Sequence, residues 1–436
     1  MKIRIIGAGL AGCEAAWYLA KKGYEIELYE MKPKKMSPAH STNDFAELVC
    51  SNSLKNDSLL NACGLLKLEM EKLGSIVMES AKLSRVEAGS CLAVDRSLFS
   101  KYITDKIKGL KNVTVVNEEV SSLDPNIPTI IATGPLTSDP LCKAIKELFG
   151  LDDFYFFDAQ APIIYADSVN YDIAYLKSRY DKGEAAYYNC PFTKEQFDAF
   201  YQELINAEAH DWKDFEINVF EGCMPIEVMA KRGEKTLRFG PMKPVGLRKP
   251  DGTSPYAVVQ LRYDDANKTM FNLVGFQTHL DFPEQKRVFR MIPGLENARF
   301  VKYGRMHKNT YINAPKILNP TYQSKEFKNI FFAGQLSGVE GYIESASSGI
   351  YAAINMDRYL QNKELLVLSR KTVMGALSLY ITDPNIENFQ PMNANFGILE
   401  DLNVEHKKVD RKELYSKRAI EAFDEEIKAL WMKTML

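Results

Sequence analysis

Nothing in this 436-residue chain reads as a membrane span or an export signal. No apolar run approaches the ~18 residues that cross a bilayer. The N-terminus shows no separate charged region, apolar stretch and cleavage site, and its first apolar run already reads as a strand. The seven cysteines, at positions 13, 50, 63, 91, 142, 190 and 223, include no C-x-x-C pair, and an odd number does not close a disulfide framework. A dithiol relay is disfavoured on that ground, and a reducing cytoplasm is the expected setting. The net charge is only −2, so any nucleic acid must be met by a local surface and not by a global field. There is no internal repeat, no low-complexity segment and no metal site to be expected. With 46% hydrophobic residues, the length suits two domains, one inserted in the other.

What is present begins at the first residues. The apolar run Ile3 to Ile6 ends in Gly7-Ala8-Gly9-Leu10-Ala11-Gly12 and opens into a helical pattern. In such a G-x-G-x-x-G turn Gly7 makes the tight bend, Gly9 lets backbone approach a pyrophosphate, and Gly12 lets the helix pack close. The helix start offers unpaired N–H groups and a positive dipole end to phosphate. A second apolar strand, Ile26 to Tyr29, ends at Glu30, where an acid grips a ribose hydroxyl. Two further short strands finish in the same manner: Ile130-Ile131-Ala132-Thr133-Gly134, and Ile330-Phe331-Phe332-Ala333-Gly334-Gln335 followed by Gly338, Gly341 and the small-residue helix Ser345 to Ala353. Three glycine-ended strands suit an extended FAD better than NAD. A glycine turn that serves packing alone is the competing explanation.

The pattern predicts an α/β protein: a doubly wound FAD-binding domain, Rossmann-like and of glutathione-reductase type, with an inserted α+β domain. Residues 1–155 alternate strand and helix, including a helix Arg96 to Lys108 and a strand Val113 to Val116. Residues 156–289 change texture, with aromatics, prolines and extended runs such as Tyr256 to Arg262 and Phe271 to Phe276. Residues 290–436 return to the first domain, the α/β pattern resuming near Asn329. They close with an amphipathic helix from Asp410 to Met435 whose apolar side carries Leu414, Ala419, Ala422, Ile427 and Leu430.

Among the thiols, Cys13 and Cys142 fall in helical patterns and read as core residues, Cys63 and Cys91 have no supporting chemistry, and Cys190 precedes a proline. Cys223 differs. It stands in Phe220-Glu221-Gly222-Cys223-Met224-Pro225-Ile226-Glu227, with proline favouring a helix start two residues on. Seven basic residues follow between Met229 and Lys249, namely Lys231, Arg232, Lys235, Arg238, Lys243, Arg248 and Lys249, against the single acid Glu234. A helix N-terminus and nearby cations both favour a thiolate. The same run is a candidate phosphate-contacting surface, although a basic run by itself is equally the composition of a solvated face. Cys50, in Glu47-Leu48-Val49-Cys50-Ser51-Asn52-Ser53, ends an apolar stretch and enters a polar loop.

Four segments together carry a resemblance. Phe45 to Leu54, Phe220 to Glu227, Val274-Gly275-Phe276-Gln277-Thr278-His279-Leu280, and Phe332-Ala333-Gly334-Gln335 with Gly338-Val339-Glu340-Gly341-Tyr342 closely resemble the TrmFO family, the folate- and FAD-dependent RNA uridine-C5 methyltransferases. The likeness spans almost the whole chain. A flavin-dependent tRNA wobble-uridine carboxymethylaminomethyl enzyme is a more distant relative; it is longer and lacks the cysteine motif as written here. The resemblance implies that a Cys223 thiolate adds to C6 of a uridine and activates C5. It also implies that 5,10-methylenetetrahydrofolate gives the carbon and that reduced flavin gives the electrons. Cys50 matches a second cysteine beside the flavin, as an acid/base or protective partner. Tyr342 and His279 offer flat faces to flavin or folate, and Gly334 and Gln335 lie at the cofactor. Lys231, Arg232, Lys235 and Arg238 then hold the RNA backbone, the target base being flipped from its stack.

The flavin is expected to be recharged by NADPH or NADH binding transiently, because no second G-x-G-x-x-G is present. The expected RNA is the T-loop uridine of tRNA. Some family members in wall-less bacteria act instead on a uridine of 23S ribosomal RNA, and a Lys-, Asn- and Ile-rich composition is compatible with that alternative. No stable protein partner is implied. Two other functions stay open on the residues alone: a small-molecule flavin oxidoreductase in which Cys223 is incidental, and a non-catalytic RNA-binding factor that keeps FAD as a structural element.

Overall fold

The computed structural model describes residues 2–151, 155–181, 184–209, 224–387, 389–402 and 410–432. The N-terminal strand Lys2–Ile6 sits at the centre of a five-stranded parallel sheet. Glu25–Tyr29 and then Val113–Val116 lie on one side of it, and Thr129–Ile131 and then Ile330–Phe332 on the other. The register aligns Phe332, Ile131, Ile6 and Tyr29 in one row across four neighbouring strands. The residues that follow each therefore emerge at one edge of the sheet, although they come from positions 300 residues apart in the chain. In Lys2–Ile6 and Glu25–Tyr29, Ile3, Ile5, Ile26 and Leu28 are buried on one face, whereas Lys2, Arg4, Glu25 and Glu27 alternate with them on a more exposed one. The helix Leu10–Lys21 packs against the long helix Tyr342–Leu360 at very close range. A Cβ on Gly349 would lie 2.2 Å from the carbonyl oxygen of Ala11, and one on Gly12 would lie 1.8 Å from that of Gly7.

A second unit is built on a six-stranded sheet. Its order is Tyr175–Leu176, Tyr187–Phe192, Ala257–Tyr263, Met270–Leu273, Ile163–Tyr165 and Phe300–Lys302, antiparallel throughout. One face, carrying Ile164, Cys190, Phe192, Val259, Leu261, Phe271 and Leu273, forms an apolar core with the helices Lys194–Asn206, Ile226–Lys231, Glu234–Phe239 and Phe282–Phe289. Tyr155–Ala159 and Met306–Thr310 pair as an antiparallel ribbon through which the chain leaves the first unit and returns.

Several sequence expectations shift in detail. The second sheet continues to Phe300–Lys302, past residue 289, because that three-residue edge strand is recruited by pairing with Ile163–Tyr165 and has no pattern of its own. The strand expected over Phe271 to Phe276 stops at Leu273, since Gly275 turns the chain at φ +76°. The C-terminal helix runs over Arg411–Met432 and buries Tyr415, Ser416, Ala419, Ala422 and Phe423. Leu414, expected on the apolar side, is only half-buried, and the side chain of Leu430 lies outside the described residues. The helix Arg96–Lys108 and the strand Val113–Val116 have the bounds the pattern predicts. Among the described residues no helix is long and apolar enough to cross a membrane.

Candidate functional site

A cleft of about 430 Å³ opens where the four aligned strands end. Its wall includes Gly7, Gly9, Glu30, Thr133, Gly134, Gly334, Gln335 and Tyr342, so the three glycine-ended strands of the sequence converge on one cavity. The glycines differ in what they do. Gly7 bends the chain at φ +101°, and a Cβ there would come within 2.6 Å of the Ala132 carbonyl oxygen. Gly12 seats the helix on that bend. Gly9 has no neighbour within 4 Å of an added Cβ, so the space it leaves belongs to the cleft and not to packing. Gly9 also precedes the helix Leu10–Lys21 without a side-chain cap, which leaves first-turn N–H groups for an anion. Glu30 is 9% exposed and accepts the N–H of Ala8 at 3.1 Å and of Lys32 at 3.0 Å, which fixes its carboxylate beside the glycine turn. An open glycine, an uncapped helix start and a fixed acid on adjacent strands fit an adenine dinucleotide.

The far end of the cleft joins the two units. Tyr342 opens the long helix Tyr342–Leu360, and its phenol oxygen accepts the backbone N–H of Cys50 at 2.7 Å and of Ser51 at 3.1 Å. Burial pushes the Tyr342 hydroxyl well above the ordinary phenol range, so it stays neutral. Arg96 donates to the Leu48 carbonyl at 2.9 Å and to Asp264 of the second unit at 3.0 Å, within electrostatic range of Cys50. Asn52 donates to the Tyr263 carbonyl at 3.1 Å and accepts from Arg262 at 2.8 Å. The Cys50 loop is thus tied to both domains. Gln335 donates to Glu340 across the turn that leads into the same helix.

Lys55, which no sequence pattern singles out, lines this end of the cleft. It pairs with the fully buried Glu344 at 2.6 Å. Burial pulls the Lys55 ammonium down, but Glu344 and Glu340 more than offset it and hold the charge. Only the fold brings positions 55 and 344 together. Gln160, Gln277 and Asn309 were likewise unsuspected and line the same wall.

The segment after Cys223 is anchored by one buried acid. Glu227, 2% exposed, accepts the Thr278 hydroxyl at 2.8 Å and the His279 N–H at 2.8 Å, and also engages the His279 ring nitrogen. His279 is 8% exposed, its ring nitrogen engages this carboxylate, and it is not among the residues that line the cleft. Cys223 itself lies outside the described residues. Of the basic stretch, Lys231, Arg232 and Lys235 are exposed on the two short helices that follow. Arg238 departs from the expected surface role. Its guanidinium stacks 3.6 Å over the Tyr256 ring, donates to the Tyr256 carbonyl and pairs with Glu234 at 3.4 Å. Cys13 and Cys190 are buried, and desolvation pushes both thiols far up.

Comparison with known proteins agrees with this architecture. The family model described as "Glucose inhibited division protein A" matches residues 2–364. The chain is 58% identical over 425 residues to a protein of Acholeplasma laidlawii named methylenetetrahydrofolate–tRNA-(uracil-5-)-methyltransferase TrmFO, covering 98% of this chain and 99% of that protein. It is 57% identical over 422 residues to the Bacillus subtilis protein of the same name, covering 96% and 97% respectively. The solved structure of Aquifex aeolicus GidA superposes with a TM-score of 0.71 at 16% identity, over 98% of this chain and 73% of that one, which is a likeness of fold. By sequence along nearly its whole length and by the glycine-lined cleft at four adjacent strand ends, this chain belongs to the glucose-inhibited division protein A family, within its TrmFO members.

Proposed function

We propose that this chain is an FAD-dependent methyltransferase that makes 5-methyluridine in tRNA with 5,10-methylenetetrahydrofolate as carbon donor. The observation that carries the reading is 58% and 57% identity over 98% and 96% of the chain to two proteins named for that folate-dependent reaction on tRNA. The cleft supports it: Gly7, Gly9 and Glu30 would hold the adenine dinucleotide, Gly12 seats the helix that follows them, and Gly334, Gln335 and Tyr342 lie toward the flavin.

When bound, reduced FAD supplies the electrons that bring the donated carbon to the methyl level. The chain's own part begins with Cys223 as the nucleophile. Its thiolate adds to C6 of the uracil and raises electron density at C5, a carbon otherwise too weakly nucleophilic to take the one-carbon unit. Once the C5 proton has passed to a base and the bond between the one-carbon unit and its carrier has broken, the electrons supplied would bring that carbon to methyl as the sulfur leaves C6 and the ring double bond is restored. Cys50, whose backbone Tyr342 holds, is the acid/base or protective partner. Glu227 positions the segment after the nucleophile by clamping Thr278 and His279. Lys231, Arg232 and Lys235 hold the RNA backbone while the target base leaves its stack, and Arg238 braces the short helix beside them. NADPH or NADH, binding transiently, would supply the flavin's electrons, and the enzyme works in the cytoplasm.

The test is a methylation assay with labelled methylenetetrahydrofolate and NADPH, with unmodified tRNA and 23S ribosomal RNA offered separately to the wild type and Cys223→Ala. Label in the C5 methyl of tRNA, lost in the variant, is expected. Label in the ribosomal RNA alone would move the substrate to the ribosome. Label in neither RNA, with folded yellow protein, would overturn the reading in favour of a small-molecule flavin oxidoreductase.

A further inference from the structure

One buried amide on the cleft wall has no partner for either of its polar atoms. Gln160 is 2% exposed, it lines the cleft, and among the described residues neither its Oε1 nor its Nε2 has a hydrogen-bond partner. A buried polar group left unmet is costly, and native proteins keep few of them. The neighbouring Gln285, fully buried, shows the ordinary arrangement. Its Oε1 accepts the Gly304 N–H at 2.7 Å, and its Nε2 donates to the carbonyls of Leu280 at 2.6 Å and Gly304 at 2.9 Å.

The backbone of Gln160 is pinned on both sides. Its backbone N–H donates to the Arg305 carbonyl at 2.7 Å and its own carbonyl accepts the Thr278 N–H at 3.2 Å. Gly304 closes the other side, where a Cβ would come within 2.6 Å of the Gln160 carbonyl oxygen. The same loop that receives Gln160 also holds the segment following Cys223, because the Gln277 carbonyl accepts the Ile226 N–H at 2.8 Å. The residue that carries the unmet amide is therefore held on a cleft wall that is continuous, through two backbone hydrogen bonds, with the nucleophile's segment. Asn309, 2% exposed on the same cleft, leaves its Nδ2 unmet as well.

We infer that Gln160 reads a ring lactam, an N–H beside a C=O on a heterocycle bound in the cleft. Its Nε2 donates to the ring carbonyl and its Oε1 accepts from the ring N–H. Either orientation of the side-chain amide presents one donor next to one acceptor. A phosphate would meet only the donor and a cation only the acceptor, whereas a cyclic amide meets both. Asn309 supplies one further donor on that wall. The inference rests on the proposed function, which brings three such rings together, the pyrimidine end of the flavin, the pterin of the folate and the target uracil; it assigns Gln160 to one of the first two, and the RNA KM separates the third.

Gln160→Met keeps the size of the side chain and removes both polar atoms. Four quantities decide the matter: the FAD dissociation constant of the full-length protein by flavin fluorescence, the folate KM, the RNA KM, and the thermal midpoint of the FAD-free protein. The expected result is a loss of about ten- to a hundredfold in FAD affinity or in folate KM. RNA KM stays unchanged and the FAD-free midpoint is equal or higher, because an unmet polar group has gone. Weaker FAD binding identifies the flavin as the ring that is read, and a folate effect alone identifies the pterin. Should Gln160→Met fail to fold, Gln160→Glu, which keeps an acceptor and loses the donor, is expected to show the same loss with a native circular dichroism spectrum. Unchanged FAD affinity and folate KM, a change confined to RNA KM, or a fall in the FAD-free midpoint would overturn the inference. Wild-type protein that bound no FAD would overturn the functional reading and the inference with it, whereas an active wild type with an unaffected variant would overturn the inference alone.

Discussion

The phenol oxygen of Tyr342 accepts the backbone N–H groups of both Cys50 and Ser51, at 2.7 Å and 3.1 Å, across 292 and 291 residues of chain. One hydroxyl thereby fixes where the Cys50 loop stands against the start of the long helix. Tyr342→Phe keeps the ring and leaves two N–H groups without their acceptor, so a loss of about 1–3 kcal/mol of stability is expected. Urea denaturation measures it. Mass-spectrometric labelling is expected to show Cys50 alkylated faster in the variant, and equal rates would show that the loop does not need this tie.

Gly9 and Gly12 separate ligand binding from folding. An added Cβ at Gly9 meets nothing within 4 Å, and its φ of −75° suits any residue. At Gly12 the same atom would lie 1.8 Å from the Gly7 carbonyl oxygen. Gly9→Val is therefore expected to fold with an unchanged thermal midpoint and to lose FAD. Gly12→Ala is expected to lose about 3 kcal/mol or more of stability whether or not FAD is present. Thermal melts with and without added FAD distinguish the two, and equal damage from both substitutions would contradict the assignment of Gly9 to the ligand.

Glu69 makes the fold sensitive to pH. It is buried and accepts the N–H groups of Val373 and Met374 at 2.7 Å each, at the start of the helix Val373–Ile381. Burial pushes its carboxyl up to about 8. An unfolded glutamate releases its proton near ~4.3. Between those values the unfolded chain gives up a proton that the folded chain keeps, so stability falls as pH rises through this window and is fully retained below it. Glu14 acts with the same sign, its carboxyl being raised by burial to about 7. Urea midpoints are expected to favour wild type over Glu69→Gln most strongly near pH 5 and least near pH 8. A constant difference across that range would refute the linkage.

The basic stretch divides by what each side chain touches. Lys231 and Lys235 are exposed, whereas Arg238 stacks on Tyr256 and pairs with Glu234. Lys231→Ala and Lys235→Ala are each expected to weaken tRNA binding several-fold and to lower the salt slope by about one, with stability unchanged. Arg238→Ala is expected to cost about 1–2 kcal/mol of stability. Filter binding over a salt series, set beside thermal melts, checks both. Salt slopes unmoved by the two lysine substitutions would place the RNA elsewhere.

The local devices are legible in the amino-acid sequence. Glycines at strand ends, an acid after the second strand and periodic apolar runs are written in short windows, because backbone φ, close approach and amphipathicity are properties of a few neighbouring residues. That is why the glycine cradle, Glu30 and the helix Arg96–Lys108 were legible before any fold was known. The tertiary structure decided which of these meet. Parallel pairing in register set Gly7, Glu30, Gly134 and Gly334 at one sheet edge, an outcome of hydrogen bonding between distant strands that no window contains. The same long-range packing gave Lys55 its partner Glu344, turned His279 to Glu227 and Arg238 to Tyr256, and left Gln160 buried with both amide atoms unmet. Residue type announces what a side chain is able to do, but its partners are chosen by contacts hundreds of residues away.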